Sequence, residues 1–102
     1  MVHIDNIYFN VGEEDYEMFR NTIEKCYSDE NIERMRLIMD LEGKSVSLSS
    51  FRKLKKVFDE LGVEKLEETC VMCDDGFKKT LIKKFLKMFT TGKFPKRPVI
   101  IL

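Results

Sequence analysis

The sequence predicts a single α/β domain: a small, mostly parallel sheet of four to five strands with three helices. Apolar runs short enough to be strands alternate along the chain with segments of helical period, the pattern that builds βαβ units. One run, Met35, Leu37, Ile38, Met39 and Leu41, is nearly continuous, as expected of a central strand covered on both faces. The 102 residues leave room for one core, burying about 65% of the surface that the unfolded chain exposes, and for no second domain.

Taken in order, His3 to Val11 alternates Ile7, Phe9 and Val11 with Tyr8 and Asn10, which predicts a strand or a small hairpin. Glu13, Glu14 and Asp15 follow, where a helix dipole favours acids, and Tyr16, Phe19, Ile23, Cys26 and Tyr27 fall at helical spacing. Ser28, Asp29 and Asn31 end that helix. After the central strand and Gly43, the serines Ser49 and Ser50 stand where an amino-terminal cap is expected. Phe51, Leu54, Val57, Phe58 and Leu61 then make a second amphipathic helix, stopped by Gly62.

A third strand is expected over Glu68 to Cys73, and Asp74 or Asp75 caps a third helix. Its apolar arc is Phe77, Leu81, Ile82, Phe85, Met88 and Phe89; Lys79, Lys83, Lys84 and Lys87 fill the other. Gly92 closes it, Pro95 and Pro98 frame a connection, and Val99 to Leu102 reads as a closing strand. Right-handed crossovers place the helices against the sheet.

Composition narrows the function classes. The hydrophobic share of 43% and the charged share of 35% suit a soluble globular protein, and no apolar run approaches the roughly 20 residues of a transmembrane helix. The amino-terminal MVHIDNIYFNV has neither a basic n-region nor a long apolar h-region, so a cytoplasmic protein without a signal peptide is expected. The formal charge of zero conceals an acidic first half and a basic second half.

Asp40-Leu41-Glu42-Gly43, followed at a fixed distance by Ser49 and Ser50 before a helix, resembles the pattern of the STAS domain of anti-sigma factor antagonists: a strand ending Asp-Leu-x-Gly, then Asp-Ser-Ser-Gly at a helix start. The resemblance extends to the Gly12 to Tyr27 helix, the Glu60-Leu61-Gly62 helix end, the Cys70 to Phe89 strand and helix, and the Arg97-Pro98 approach to the last strand. Leu48 and Phe51 stand where that family has Asp and Gly. The resemblance implies a non-enzymatic regulatory module, cytoplasmic, that binds another protein, a kinase or regulatory partner. It makes Ser49, or Ser50, the phosphosite, and Asp40, Glu42, Gly43, Ser47, Ser49 and Ser50 the partner-binding loop. A phosphate there would meet free N–H groups at a helix amino terminus.

Other chemistries have less support. Cys70 and Cys73 have CxxC spacing, but within a strand they fall on opposite faces, so reduced thiols are expected. Cys26 and His3 supply no second spaced pair for zinc, and His3 has no nucleophile beside it. Asp40, Glu42, Asp74 and Asp75 lie near strand carboxyl ends, but no Gly-rich phosphate loop accompanies them. No metal and no cofactor are expected. Two alternatives stand beside the regulatory module: a small domain binding a nucleotide or an anionic lipid, and a docking module presenting Lys79, Lys83, Lys84 and Lys87 to an acidic partner, an anionic membrane or nucleic acid. Nucleic acid is the weakest of these, because the aromatic residues of that helix sit on its apolar arc.

Overall fold

A computed structural model of the chain describes residues 3–10, 16–43, 47–89, 92–94 and 96–102. Strands and helices alternate as β1 (Ile4–Asn10), α1 (Tyr16–Ser28), β2 (Arg34–Asp40), α2 (Leu48–Leu61), β3 (Leu66–Met72), α3 (Gly76–Met88) and β4 (Val99–Ile101). Among the described residues the sheet has four strands, all parallel, in the order β1-β2-β3-β4. The α/β class and the three helices are as the sequence predicts. The expected acids of the first helical turn, Glu13, Glu14 and Asp15, lie outside the described residues with Gly12, Val11 and Pro95.

Strand order decides where the core sits. Each crossover advances by one strand in the same direction, and crossovers of one hand then put every helix on the same face of the sheet. Burial along β2 alternates accordingly. Met35, Leu37 and Met39 are buried, whereas Arg34, Arg36, Ile38 and Asp40 are half-exposed. The expectation of a strand covered on both faces is therefore corrected: β2 is central but has a single covered face. The core joins Met35, Leu37, Met39, Leu66 and Val71 to Ile23 and Cys26 of α1, to Phe51, Leu54, Val57 and Phe58 of α2, and to Ile82 of α3.

The open face carries a row that register aligns across all four strands, Tyr8, Ile38, Cys70 and Ile100. A polar row runs beside it. Arg36 donates to Glu68 at 2.5 Å and to Asn6 at 3.1 Å, and these three are also in register.

Helix ends are fixed by a few polar contacts. Lys65 Nζ donates to the carbonyls of Cys26, Tyr27 and Asp29 at 3.3, 2.9 and 3.0 Å, so an ammonium satisfies the last carbonyls of α1 and favours its negative pole. Gly62 caps α2 with φ 96°, its N–H donating to Phe58 O, and its carbonyl accepts the Tyr27 hydroxyl at 2.6 Å. α3 ends at Phe89 rather than at Gly92. Gly92 instead passes close to α2 at φ 82°, where a Cβ would stand 2.5 Å from Asp59 Oδ2. Asp59 there accepts the N–H groups of Lys93 and Phe94 at 2.6 and 3.0 Å, and pairs with Lys55. These bonds hold Phe94, buried, with its ring stacked on Phe58 at 5.6 Å.

Candidate functional site

The carboxyl ends of β2 and β3 and the amino ends of α2 and α3 meet at one end of the sheet, the usual place for sites in open α/β folds. Three small polar constructions occupy it. After β2 the chain turns on its own carboxylate, Asp40 Oδ1 accepting the N–H of Glu42 at 2.9 Å. Gly43, at φ 69°, donates its N–H to Asp74 Oδ2 at 2.8 Å, which ties the turn after β2 to the residues after β3. Asp74 also pairs with Lys78 at 2.8 Å, and Lys78 Nζ reaches Leu41 O at 3.2 Å.

This clamp joins the two strand ends through one carboxylate and one ammonium. The Lys78 ammonium, and after it the Gly43 N–H, hold the Asp74 carboxyl below the usual carboxylate range. Asp75 performs the capping that the sequence assigns to Asp74 or Asp75: its Oδ1 accepts the N–H of Lys78 at 2.8 Å.

The serines are disposed differently from expectation. Ser47 is the cap of α2, in extended backbone at φ −131° and ψ 149°, and its Oγ accepts the N–H of Ser50 at 3.2 Å. Ser50 Oγ lies 2.9 Å from Ser47 Oγ. Ser49 is neither cap nor support. It sits in the first helical turn with its side chain exposed, and among the described residues its hydroxyl has no hydrogen-bond partner. The expectation of a cap at Ser49 or Ser50 is thus corrected to Ser47, because the helix begins at Leu48, two or three residues earlier than either of those caps would start it. Phe51, which stands where the STAS pattern has Gly, is buried against the core and packs on Phe85 at 5.7 Å.

The expected partner-binding residues therefore share one end of the sheet but form two groups. Asp40, Glu42 and Gly43 make the turn on the strand side, Glu42 and Gly43 exposed and Asp40 half-exposed; Ser47, Ser49 and Ser50 are exposed at the start of α2. Among the described residues no hydrogen bond joins the two groups. Two cations that sequence reasoning passed over complete the second: Arg52 and Lys53 are exposed, three and four residues after Ser49, and so on the same side of α2. That spacing was the available signal.

The thiols are free: Cys26 is buried, and Cys70 and Cys73 are partly so. Burial pushes all three up from the ordinary thiol value; Glu68 adds to the rise at Cys70, and Lys79 and Lys78 oppose it at Cys73. His3 is exposed and lies 3.2 Å from Asp5. Among the described residues no group of three or more His, Cys, Asp or Glu is gathered as metal ligands would be. A shallow hollow lined by Asn21, Glu24, Lys25, Ser28 and Asp29 lies along the carboxyl half of α1, at the opposite end of the sheet from Ser49.

Of the expected basic face on α3, Lys83, Lys84 and Lys87 are exposed and Lys79 is half-buried. The expected apolar arc is narrower than predicted. Ile82 is buried and Leu81, Phe85, Leu86 and Phe89 are partly buried, but Phe77 and Met88 are exposed, at 76% and 55%. No described helix is long and apolar enough to cross a membrane. Compared with known proteins, the chain matches no family model, no curated protein sequence and no solved structure.

Proposed function

We propose that the chain is a non-enzymatic regulatory module of STAS type, which binds a partner protein through Asp40, Glu42, Gly43, Ser47, Ser49 and Ser50 and is switched by phosphorylation of Ser49. The observation that carries this reading is the division of labour among the serines. Ser47 caps the helix, which leaves the Ser49 hydroxyl exposed and unbonded among the described residues. A phosphoryl group on that oxygen would meet the positive end of the α2 dipole, with Arg52 and Lys53 one turn along. The first turn of α2 has no acidic residue, so the added charge meets no repulsion from its own helix start.

The partner would be a kinase or a regulatory protein in the cytoplasm, and the clamp of Asp74 and Lys78 would keep the adjoining turn in shape for it. A small-molecule role, for a nucleotide or a single lipid, has less support, since the hollow on α1 is lined by polar and charged side chains and lies away from the serines.

The test uses Ser49→Asp beside Lys83→Glu as baits for crosslinked capture of partners, with the melting temperature of each measured in parallel. The expected result is a protein captured by the wild type and by Lys83→Glu, weakened on Ser49→Asp at unchanged melting temperature, because a charge desolvated at the interface without a matching cation on the partner opposes binding. Capture that Lys83→Glu abolishes and Ser49→Asp leaves intact would transfer the binding face to α3 and refute the assignment.

A further inference from the structure

The exposed side of α3 combines two features that ordinary solvated faces do not share. The helix, GFKKTLIKKFLKM, contains no acidic residue, and Lys83, Lys84 and Lys87 are exposed with no ion pair among the described residues. Its two most exposed apolar side chains, Phe77 and Met88, stand about three turns apart, roughly 16 Å along the axis and within about 20° in rotation. They therefore touch the same plane laid along the helix. Lys84 falls on the line between them, and Lys83 and Lys87 flank it on one side. The nearest acids in sequence, Asp74 and Asp75, are at the amino end and already occupied, the first by Lys78 and Gly43, the second by capping α3.

From this arrangement we propose that α3 docks flat on an anionic lipid bilayer, with Phe77 and Met88 entering the boundary between headgroups and acyl chains and Lys83, Lys84 and Lys87 resting on lipid phosphates. Charge complementarity selects an anionic surface, and the two apolar ends select a lipid one. A bilayer interface offers anions and an apolar layer at a fixed offset across one plane, whereas nucleic acid or an acidic peptide satisfies the lysines and leaves Phe77 and Met88 in water. This proposal does not depend on phosphorylation of the serines.

The experiment is flotation of the full chain with phosphatidylcholine vesicles, with and without phosphatidylserine, at low and high salt. Binding is expected only with phosphatidylserine and should weaken with salt, and each neutralised lysine should lower the partition constant by about fivefold. Lys83→Glu/Lys84→Glu should therefore lose binding, and Phe77→Ser/Met88→Ser should weaken it while its salt dependence persists. Both variants alter exposed residues, and circular dichroism checks that the fold is kept. Equal binding to neutral and anionic vesicles, or no binding to either, overturns the proposal. So does binding that the lysine variant abolishes and the Phe77→Ser/Met88→Ser variant leaves unchanged, which would mark a patch for an acidic protein or nucleic acid.

Discussion

Leu37 and Ile38 are neighbours on β2, and replacing either by Ala removes the same three carbons, yet the one-sided sheet assigns them different costs. Leu37 has no exposed surface and lies under the helices. At about 0.8 kcal/mol per buried carbon its truncation forfeits about 2.4 kcal/mol of transfer free energy. The cavity left under rigid helices raises the total to roughly 3 to 4 kcal/mol. Ile38 is half-exposed on the face that no described helix covers. Its truncation opens no sealed cavity, and the partial loss of burial with a weaker strand preference comes to about 1 kcal/mol. The difference, about 2 to 3 kcal/mol, is readable as a separation of urea midpoints at a common m-value. In thermal unfolding Leu37→Ala should melt below Ile38→Ala by roughly 8 to 24 °C. Costs within about 0.5 kcal/mol of each other would refute the one-sided arrangement, since Ile38 would then be buried as deeply as Leu37.

Three further outcomes are expected. Ser47→Ala should cost about 1 kcal/mol through loss of the α2 cap, and Ser49→Ala should stay within about 0.5 kcal/mol of wild type; the reverse order in urea unfolding would relocate the cap. Burial alone would raise the Asp59 carboxyl, but Lys55 with the N–H groups of Phe94 and Lys93 outweighs it and holds the group below its usual value. A carboxyl depressed on folding adds stability above the unfolded value, about 3.9, and that share is lost as pH falls through the folded one. Melting temperature should therefore fall more steeply below about pH 4 in the wild type than in Asp59→Asn, and parallel acid limbs would show that Asp59 is not responsible. All three thiols should remain reduced and react slowly with alkylating reagents at neutral pH; a Cys70 to Cys73 disulfide in intact, non-reduced protein, seen by mass spectrometry, would contradict this.

How far the sequence discloses the molecule depends on which residues are asked. Ile7 and Phe9 in β1, the stripe of α1 and the apolar positions of α2 announce their elements, because period and burial coincide there. β2 was harder. Its alternation of Arg34, Arg36 and Asp40 with Met35, Leu37 and Met39 is visible, but Ile38 interrupts the polar side and makes the strand look covered twice. What uncovers that side is the strand order, which no local pattern contains. Phe77 and Met88 mislead for a related reason: helical spacing puts them beside Leu81, but the arc of α3 that is buried is narrower than its apolar arc. Phe94 gives no periodic signal, since it is buried by Asp59 gripping the backbone at Lys93 and Phe94. At the candidate site, the run Ser47, Leu48, Ser49, Ser50 offers three hydroxyls for one cap, and only the start of the helix at Leu48 shows which one takes it.

The strand order has a consequence for how the domain comes apart. Among the described residues each strand pairs only with its neighbours in sequence, so the sheet behaves like a short linear array whose cohesion is a sum over adjacent pairs. β2 and β3 each have two neighbours, whereas β1 and β4 have one, and β4 contributes only Val99 to Ile101. Loosening should enter from the outer units and move inward, with amide exchange slowest in β2 and β3 and fastest in β4. The turn after β2 and the clamp between Asp74 and Lys78 sit on the two inner strands, which makes the candidate recognition surface the last part of the sheet to be disturbed by fraying at either edge.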